Sequence, residues 1–143
     1  MQDTFVPTKS FLRSKWYIID VKDKTLGRVC TEIANLLLGK NKPYYIPYLN
    51  IGDHVIVVNA KNIKVTGNKS KEKFYYRHSG RPGSIKIESF RQLQNRVPER
   101  IIEKAIKGML PKGPLGREVF KKLHVYSESI HPHCSQKPEE IKF

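Results

Sequence analysis

The sequence predicts an α/β fold built around parallel strands. Two short runs rich in β-branched and aromatic residues, 16–21 and 54–59, have the composition of buried strands. Between them, apolar residues recur at helical spacing from Leu26 to Leu37. A strand, a helix of about three turns and a second strand form a βαβ unit, in which the strands are parallel and covered on both faces. With 143 residues, the chain is long enough for one domain with a core of its own.

The N-terminal part of the chain contains signals for the ends of these elements. Residues 1–14 are polar and have no hydrophobic period, which predicts a surface extension before the first strand. Thr25 is a suitable N-cap for the helix, because its side-chain oxygen can accept a hydrogen bond from a free backbone N–H. Gly39 is a suitable C-terminal stop, and two lysines and Pro43 follow it.

After the second strand, the composition of the chain changes, and turn-forming glycines and prolines become more frequent. A Gly-Asn pair ends one turn or short strand, and residues 74–78 have the composition of another strand. Residues 79–83 contain two glycines and a proline, so they cannot continue that strand and are predicted to form a basic loop. Ser89 and Gln92 have the spacing of a capping box, which predicts that a helix begins there.

The remaining residues predict two helices, a short strand and a tail. Pro98 suits a first helical position, and a strongly amphipathic face follows it, formed by Ile101, Ile102, Ala105, Ile106 and Met109. Glycines and prolines break this helix within residues 108–113, and Pro114 begins a shorter helix through Lys122. Residues 123–126 add a last short strand or extended stretch, and residues 127–143 are a polar, extended tail. The domain itself is expected to span residues 15–126.

Positive charge is concentrated in two parts of the chain. The protein carries 27 Lys and Arg against 13 Asp and Glu, a formal net charge of +14. Residues 61–86 hold eight basic residues and one acidic residue, and residues 100–122 hold seven basic and two acidic residues. We call these segments the first and the second basic block. A small domain with this excess of positive charge usually has a polyanion as its partner.

Signatures of an enzyme are weak. No Gly-x-Gly-x-x-Gly follows the first strand, which disfavours a dinucleotide site, and the sequence has no phosphate-binding loop motif or nucleophile elbow. Asp20, Asp23 and Asp53 could converge at strand ends, where α/β active sites form. Asp23 can equally stabilise the start of the helix through the helix dipole. We therefore expect no enzymatic activity and no small-molecule substrate.

Metal and membrane binding are also disfavoured. His131, His133 and Cys134 stand close together, but three ligands split by a proline supply at most part of a tetrahedral shell. Cys30 and other histidines are available, but no second cluster completes the shell. No apolar run approaches the roughly 18 residues of a bilayer-spanning helix, and residues 1–16 lack the apolar core of a secretory signal. The sequence therefore predicts no metal, no cofactor and no membrane contact.

The two basic blocks favour binding to RNA. In the first block, cations and glycines surround Tyr75, Tyr76 and His78. Lysine and arginine bind phosphates, glycine allows close approach of a ribose-phosphate chain, and tyrosine or histidine can stack on unpaired bases. A strand can equally bury alternate aromatic side chains, so at least one of its rings is expected to be core. In the second block, a turn rich in glycine and proline exposes the start of the next helix, where Lys112 and Arg117 lie beside a ready phosphate site.

Several motifs resemble those of one known family. They are Trp16-Tyr17-Ile18-Ile19-Asp20, Lys24-Thr25-Leu26-Gly27-Arg28, Gly52-Asp53, Val65-Thr66-Gly67-Asn68-Lys69, Pro98-Glu99-Arg100 and, most specific of all, Lys107-Gly108-Met109-Leu110-Pro111-Lys112-Gly113-Pro114-Leu115-Gly116-Arg117. Near the end of the chain stand Lys122-Leu123, Val125-Tyr126 and His131-Pro132-His133. With these motifs in this order, the chain resembles the large-subunit ribosomal proteins numbered thirteen in the bacterial scheme, over about nine-tenths of its length.

The resemblance implies a single three-layer α/β/α domain with a mostly parallel central sheet. It implies a structural, non-catalytic protein that binds large-subunit ribosomal RNA, lies beside neighbouring large-subunit ribosomal proteins, and supports subunit assembly and translation. Affinity is expected to come mainly from neutralisation of phosphates. The matching positions expected to contact the RNA are Arg28, Lys64, Thr66, Gly67, Asn68, Lys69, Lys71, Lys73, Arg77, His78, Arg81, Gly83, Lys107, Lys112, Gly113, Arg117 and Lys121.

Two further observations concern location and alternative functions. Residues 77–83 are similar to cyanobacterial and plastid members of the family in particular, and the abundance of Lys, Ile and Asn suits an AT-rich organelle genome. We therefore expect a ribosome in the plastid stroma, with the bacterial cytoplasm as the alternative. Two other functions stay open: an RNA-modifying enzyme with Asp20 or Asp53 near a small-molecule pocket, and a regulatory protein that binds messenger RNA away from the ribosome.

Overall fold

Six strands and five α-helices make up the structure, a computed structural model that describes residues 6–8 and 11–141. In chain order these elements are β1 (Trp16–Asp20), α1 (Leu26–Leu38), β2 (His54–Val58), α2 (Lys69–Glu72), β3 (Phe74–His78), β4 (Ile85–Ser89), α3 (Phe90–Arg96), α4 (Glu99–Met109), α5 (Pro114–Phe120), β5 (Leu123–Val125) and β6 (Glu139–Glu140). Short 3-10 helices, Ala60–Asn62 and His133–Gln136, lie in the connections.

The central sheet has four strands in the order β5-β2-β1-β6, and each neighbouring pair is parallel. In the register of β1 and β2, Trp16 lies beside His54 and Asp20 lies beside Val58. This arrangement confirms the predicted α/β class with its mostly parallel sheet. The two glutamates of β6 have no strand signal in the sequence, and they join the sheet because the tail runs alongside Tyr17 and Ile18.

The helices pack on one face of this sheet. Ile19, Val55 and Val57 point from the sheet into a core that also holds apolar residues of α1, α3, α4 and α5. α1 and α4 pack against each other there and supply several fully buried side chains, among them Ile33, Leu37, Ile101, Ile102 and Ile106. Fully burying one such side chain contributes roughly 1.5–3 kcal/mol. The amphipathic patterns of the sequence therefore determine which side of each helix meets the sheet.

The opposite face of the sheet carries aromatic side chains and is covered by the C-terminal tail. Trp16 of β1 stacks on His54 of β2 with ring centroids 4.3 Å apart, and His124 of β5 lies 5.5 Å from the Trp16 ring. His133, in the tail, packs on His124 at 4.6 Å and shares a 2.7 Å hydrogen bond with the Tyr126 hydroxyl. The tail thus provides the layer on the side of the sheet opposite the helix core.

Local signals for helix ends agree with the structure. Gly39 ends α1 in the left-handed conformation (φ 77°), and the capping box of Ser89 and Gln92 begins α3. Both predictions are confirmed. Thr25 is the N-cap of α1, as predicted, but it makes no side-chain cap hydrogen bond. The backbone N–H of Leu26 instead donates to a carbonyl oxygen of the first basic block, at Lys64, over 2.9 Å.

A separate antiparallel hairpin is formed by β3 and β4. The register pairs Phe74 with Ser89 and His78 with Ile85. The composition of residues 74–78 predicts β3, whereas β4 is not predicted. Residues 85–88 alternate between apolar and charged side chains, which indicates a strand. The capping box that begins at Ser89 is a stronger signal, so only the helix is predicted there.

The two ends of the chain are described in part. Of the predicted extension 1–14, residues 1–5 and 9–10 lie outside the described residues, as do residues 142–143 of the predicted tail. Pro7 is buried, and the Phe11 ring meets Tyr44 edge-on at 5.3 Å. In the described ranges, no helix has both the length and the apolar character needed to cross a bilayer.

Candidate nucleic-acid interface

Helix α4 brings the two basic blocks together. Ile102 and Ile106 on its apolar side are buried in the core, and its solvent side carries Arg100, Lys104 and Lys107. These three cations are spaced i, i+4 and i+7, so they lie along one stripe of the helix. The hairpin of the first block lies across a groove from this stripe, and the turn before α5 continues from the end of the stripe.

The groove between the hairpin and α4 has a volume of about 470 Å³, and we call it the hairpin groove. Glu88 and Glu103 are the carboxylates in its lining. Arg96 Nη2 donates to both carboxylate oxygens of Glu88, at 2.6 and 2.8 Å. The cations of the groove come from both blocks and from the segment between them: Arg77, Lys86, Arg96, Arg100, Lys104 and Lys107.

The Tyr75 ring lies near two lysines, Lys104 of the hairpin groove and Lys73 of the first block. Its ring centroid lies 4.9 Å from Lys104 Nζ and 5.6 Å from Lys73 Nζ, which is within the range of cation–π attraction. Burial raises the pKa of the Tyr75 hydroxyl, so the phenol stays neutral near physiological pH. Tyr75 is the ring of this strand that packs against the core, and one lysine from each basic block lies near it.

A second groove, of about 490 Å³, lies between α1, the segment around α2, and α4; we call it the helix groove. Arg28 of α1 faces Thr66, Lys69 and Lys73 of the first block across this space. Ala105 and Met109 of α4 complete the lining. Arg28 lies outside both basic blocks in sequence, and the fold adds its charge to theirs.

The turn before α5 forms a third groove, of about 610 Å³, which we call the turn groove. Lys107 lines both this groove and the hairpin groove, so the two adjoin each other. The predicted contact residues in the lining of the turn groove are Lys107, Lys112, Gly113, Arg117 and Lys121.

Two glycines of this turn differ in their surroundings. Gly116 is buried, and a Cβ atom at this position would lie 1.9 Å from the Pro111 carbonyl oxygen, so the turn closes only with glycine there. Gly113 has an extended backbone (φ 176°), and a Cβ atom there would meet nothing within 4 Å. The backbone at Gly113 is therefore accessible to a ligand.

The helix after this turn is short. α5 has seven residues and begins with Pro114, which has no N–H to offer. A phosphate at this position would therefore depend on the side chains of Lys112 and Arg117 more than on free backbone amides.

The loop at the end of the hairpin presents Arg81. Gly83 takes the left-handed conformation (φ 73°), which glycine adopts without strain. The Ser84 hydroxyl donates to the Arg81 carbonyl oxygen at 2.7 Å, and the Gly80 N–H donates to His78 Nδ1 at 2.9 Å. These contacts order the loop and orient the imidazole at its base.

Lys64 has a partner within the protein. Its Nζ lies 2.8 Å from Asp23 Oδ1, and this ion pair lowers the pKa of the Asp23 carboxyl. Both side chains are well exposed. Exposed pairs of this kind contribute little to stability, so Lys64 can exchange the carboxylate for a phosphate.

The structure exposes sixteen of the seventeen predicted contact residues, and the other one, Gly113, is half-buried. Ten of them line the three grooves: Arg28, Thr66, Lys69, Lys73, Arg77, Lys107, Lys112, Gly113, Arg117 and Lys121. The other seven are beside these grooves in the chain, around α2 and at the end of the hairpin: Lys64, Gly67, Asn68, Lys71, His78, Arg81 and Gly83.

The predicted contact positions leave out four cations of the hairpin groove, namely Lys86, Arg96, Arg100 and Lys104, although all but Arg96 belong to the two basic blocks. For two of them a signal exists, because Arg100 and Lys104 continue to Lys107 at helical spacing opposite the apolar face of α4. Lys86 is counted in the first basic block, but without β4 nothing in the sequence places it at the groove. Arg96 lies between the two basic blocks, in residues 87–99. The net charge of this segment is zero, so counting charges does not single out Arg96.

The aspartates at the strand ends do not share a site. Asp20 ends β1, whereas Asp53 precedes β2. Because these strands are parallel and in register, the two carboxylates lie at opposite ends of the strands. Asp20 accepts a hydrogen bond from the Asn59 side chain at 2.9 Å, and Asp53 forms a buried ion pair with Lys42 at 2.6 Å. Each carboxylate thus has a structural partner of its own.

The histidine-rich segment of the tail also has structural contacts. Among the described residues, no three His, Cys, Asp or Glu side chains form a group that could hold a metal. His133 packs on the aromatic face of the sheet, and Cys134 is exposed. Burial raises the pKa of the Cys30 thiol to about 12, which keeps this cysteine protonated and unreactive.

Comparison with known proteins identifies the family. A model of the family described as Ribosomal protein L13 matches residues 14–132. The chain belongs to the ribosomal protein L13 family. This membership confirms the resemblance carried by the motifs, and a family of ribosomal proteins agrees with the expectation that the chain is not an enzyme.

Individual members of the L13 family are similar over most of their length. The chain is 62% identical over 127 residues to Large ribosomal subunit protein uL13c of Pyropia yezoensis, and the match covers 89% of each chain. It is 57% identical over 141 residues to Large ribosomal subunit protein uL13 of Acaryochloris marina, covering 99% of this chain and 93% of the relative. Large ribosomal subunit protein uL13c of Porphyra purpurea is 56% identical over 140 residues, with 98% of both chains covered.

Proposed function

We propose that this L13-family chain is a structural constituent of the large ribosomal subunit that binds large-subunit ribosomal RNA and supports subunit assembly and translation. The observation that carries the proposal is the set of exposed cations around α4, where the two basic blocks and Arg28 line three grooves. The names of the relatives, which are large ribosomal subunit proteins, support the same function.

Affinity in this complex comes mainly from phosphate neutralisation. The three grooves hold twelve lysines and arginines but only two carboxylates, Glu88 and Glu103. Arg96 already neutralises one of these carboxylates. Each cation that contacts a phosphate releases condensed counterions from the RNA, so binding weakens as salt is added. The accessible backbone at Gly113 lets a ribose-phosphate chain approach the turn groove closely.

The two ends of the chain are assigned a role other than RNA binding. We assign RNA contact to residues 15–126 and protein contact to the extension 1–14 and the tail 127–143. The described tail carries few cations, and one of its carboxylates, Glu128, is paired with Lys61 at 2.7 Å. Neighbouring large-subunit ribosomal proteins therefore fit the surface of the tail better than RNA does.

The proposed location is the ribosome of a plastid or a bacterium. The similar proteins of Pyropia yezoensis and Porphyra purpurea carry the name uL13c, and the similar protein of Acaryochloris marina carries the name uL13. The 62% identity to the protein of Pyropia yezoensis and the composition of the chain support the plastid stroma, whereas the other two identities, 56% and 57%, do not distinguish it from the bacterial cytoplasm.

Sedimentation of a native extract tests the proposed place of the protein. At moderate and at high salt, the chain should migrate with the large ribosomal subunit. Recovery of the protein only in the soluble fraction would contradict the proposal.

Binding of the purified protein to large-subunit ribosomal RNA tests the mechanism. Replacing Lys112 and Arg117 by Ala should weaken binding and flatten the dependence of log K on log salt by roughly one unit per lost phosphate contact, or slightly less. A matched control replaces two exposed lysines outside the three grooves, Lys22 and Lys40, and should leave the slope unchanged. An unchanged slope in the Lys112/Arg117 variant would remove these residues from the interface.

A further inference from the structure

The outer face of the hairpin carries a row of aromatic and aliphatic side chains. In the antiparallel register, Tyr76 pairs with Ile87 and His78 pairs with Ile85, so these four side chains share one face. Phe74 precedes Tyr76 by two residues and shares that face because side chains alternate along a strand. We call these five residues the outer hairpin face. Tyr75 and Arg77 alternate with these residues along β3, so they project from the reverse face, toward the hairpin groove. Tyr76 also forms part of the lining of that groove.

This face is far more exposed than is usual for such residues. The exposed fractions are 49% for Phe74, 66% for Tyr76, 60% for Ile85 and 57% for Ile87. In the described part of the chain, these are four of the nine large hydrophobic side chains that are exposed. Contiguous apolar surface of this kind marks an interaction site more often than scattered exposed residues do.

The surroundings of the outer hairpin face indicate the chemistry of its ligand. Lys71 and Lys73 stand at one end of β3, and Arg81 stands in the loop at the other end. Arg77 and Lys86 lie on the reverse face of the same two strands. A flat apolar surface framed by cations is complementary to a ligand that combines flat rings with phosphates. Unpaired RNA has both, whereas an apolar protein surface gains nothing from the surrounding cations.

We propose that the outer hairpin face stacks unpaired bases of RNA, with Tyr76 as the central ring. Alternate residues of a strand are about 6.7 Å apart, so Phe74, Tyr76 and His78 can each present a ring to a separate base. The hydrogen bond from the Gly80 N–H orients the His78 ring. The bases of a duplex are hidden within their own stack, so this face selects single-stranded segments. The inference rests on the proposed function and adds to it the form of RNA that the hairpin binds.

Replacing Tyr76 by Leu tests this proposal, because leucine keeps apolar surface but cannot stack as an aromatic ring does. The probe is a single-stranded RNA of about 12 nucleotides with a central 2-aminopurine, compared with the same RNA as a duplex. Loss of one stacked base should weaken single-strand binding about tenfold. It should also remove the quenching of 2-aminopurine and leave duplex binding unchanged. Tyr76→Phe should retain both the affinity and the quenching.

Two controls separate stacking from other effects. Tyr48 has the same exposed fraction, 66%, and Tyr48→Leu should bind like the unsubstituted chain. Stacking releases no counterions, so Tyr76→Leu should keep the salt slope that Lys112 and Arg117 determine. Circular dichroism and thermal unfolding should show an unchanged fold, because Tyr76 is well exposed.

The outcomes distinguish this inference from the proposed function. Unchanged single-strand binding by Tyr76→Leu, or an equal loss for single strand and duplex, overturns base stacking while RNA binding stands; the face would then belong to a protein partner. Failure of the unsubstituted chain to bind either RNA overturns both proposals. A selective, salt-independent loss with single-stranded RNA supports base stacking.

Discussion

The buried carboxylate of Asp53 illustrates how single residues hold the domain together beneath its cationic surface. Its Oδ1 accepts hydrogen bonds from Lys42 Nζ at 2.6 Å and from the Lys15 backbone N–H at 2.8 Å. Lys42 Nζ also donates to the carbonyl oxygens of Arg13 and Ile51. This one ion pair thus connects the segment before β1 to the start of β2. These structural contacts account for the burial of the Asp53 carboxylate without a catalytic role.

Loss of this charge should destabilise the fold. Asp53→Asn leaves the Lys42 ammonium in a nearly buried position without a carboxylate, so the free energy of unfolding should fall by about 3 kcal/mol. Asp23→Asn is the matched control, because it breaks the exposed pair with Lys64 and should cost less than about 1 kcal/mol. Urea denaturation measures both. A similar small loss in the two variants would show that the Asp53 pair is not important for stability.

The two glycines of the turn groove should respond differently to the same substitution. Gly116→Ala forces a methyl group against the Pro111 carbonyl oxygen, and overpacking of this kind typically costs about 1–3 kcal/mol. Gly113→Ala adds a methyl group in open space, so stability should change by less than about 0.5 kcal/mol. Thermal unfolding of the two variants is the measurement. Equal midpoints would contradict the packing described for Gly116.

Helix ends are easier to predict from the sequence than strands are. The ends of α1 and α3 follow from Gly39 and from the capping box at Ser89, because these signals act within a few residues. β6 could not be predicted, because two glutamates form a strand only where β1 offers them a free edge. Likewise, the hairpin forms only when β3 pairs with β4, and no local sequence pattern indicates which segments will pair.

The layer formed by the tail should be sensitive to pH. Burial lowers the pKa of His54 and of His124, and for His54 the nearby Lys122 lowers it further, while Asp53 acts in the opposite direction. His133 of the tail faces both rings and lowers both pKa values. As pH falls below about 6.5, the unfolded chain therefore binds protons before the folded chain does, and stability decreases.

Replacement of these imidazoles tests this pH dependence. In the variant with His54→Phe and His124→Phe, the rings that stack near Trp16 remain but cannot be protonated. The fall in the unfolding temperature between about pH 7 and about pH 5.5, above the range where carboxylates titrate, should be smaller than in the unsubstituted chain. His78→Phe is the control, since this exposed histidine is the last residue of β3, in the hairpin and not among the rings beneath the tail. An equal fall in all three proteins would exclude the His54–His124 pair as the cause.

For the protein as a whole, the sequence predicts the fold class and the basic surface better than it predicts the grooves. The βαβ unit follows from local periodicity, and the proposed contact residues follow from charge and from the family motifs. The juxtaposition of Arg28 with Lys69 and Lys73 could not be predicted, because it depends on how α1 packs against α4 and the first block. The outer hairpin face was missed for a related reason: without β4, the exposed side chains Ile85 and Ile87 have no partner strand.

We propose that the cations around α4 face ribosomal RNA, and the chemical reactivity of their lysines provides a direct measurement of this contact. Purified large subunits and the free protein are treated with an acylating reagent, and modification is read at each lysine by mass spectrometry. We expect strong protection in the subunit for the groove lysines Lys69, Lys73, Lys104, Lys107, Lys112 and Lys121. Reactivity of these lysines in the subunit equal to that in the free protein would contradict it.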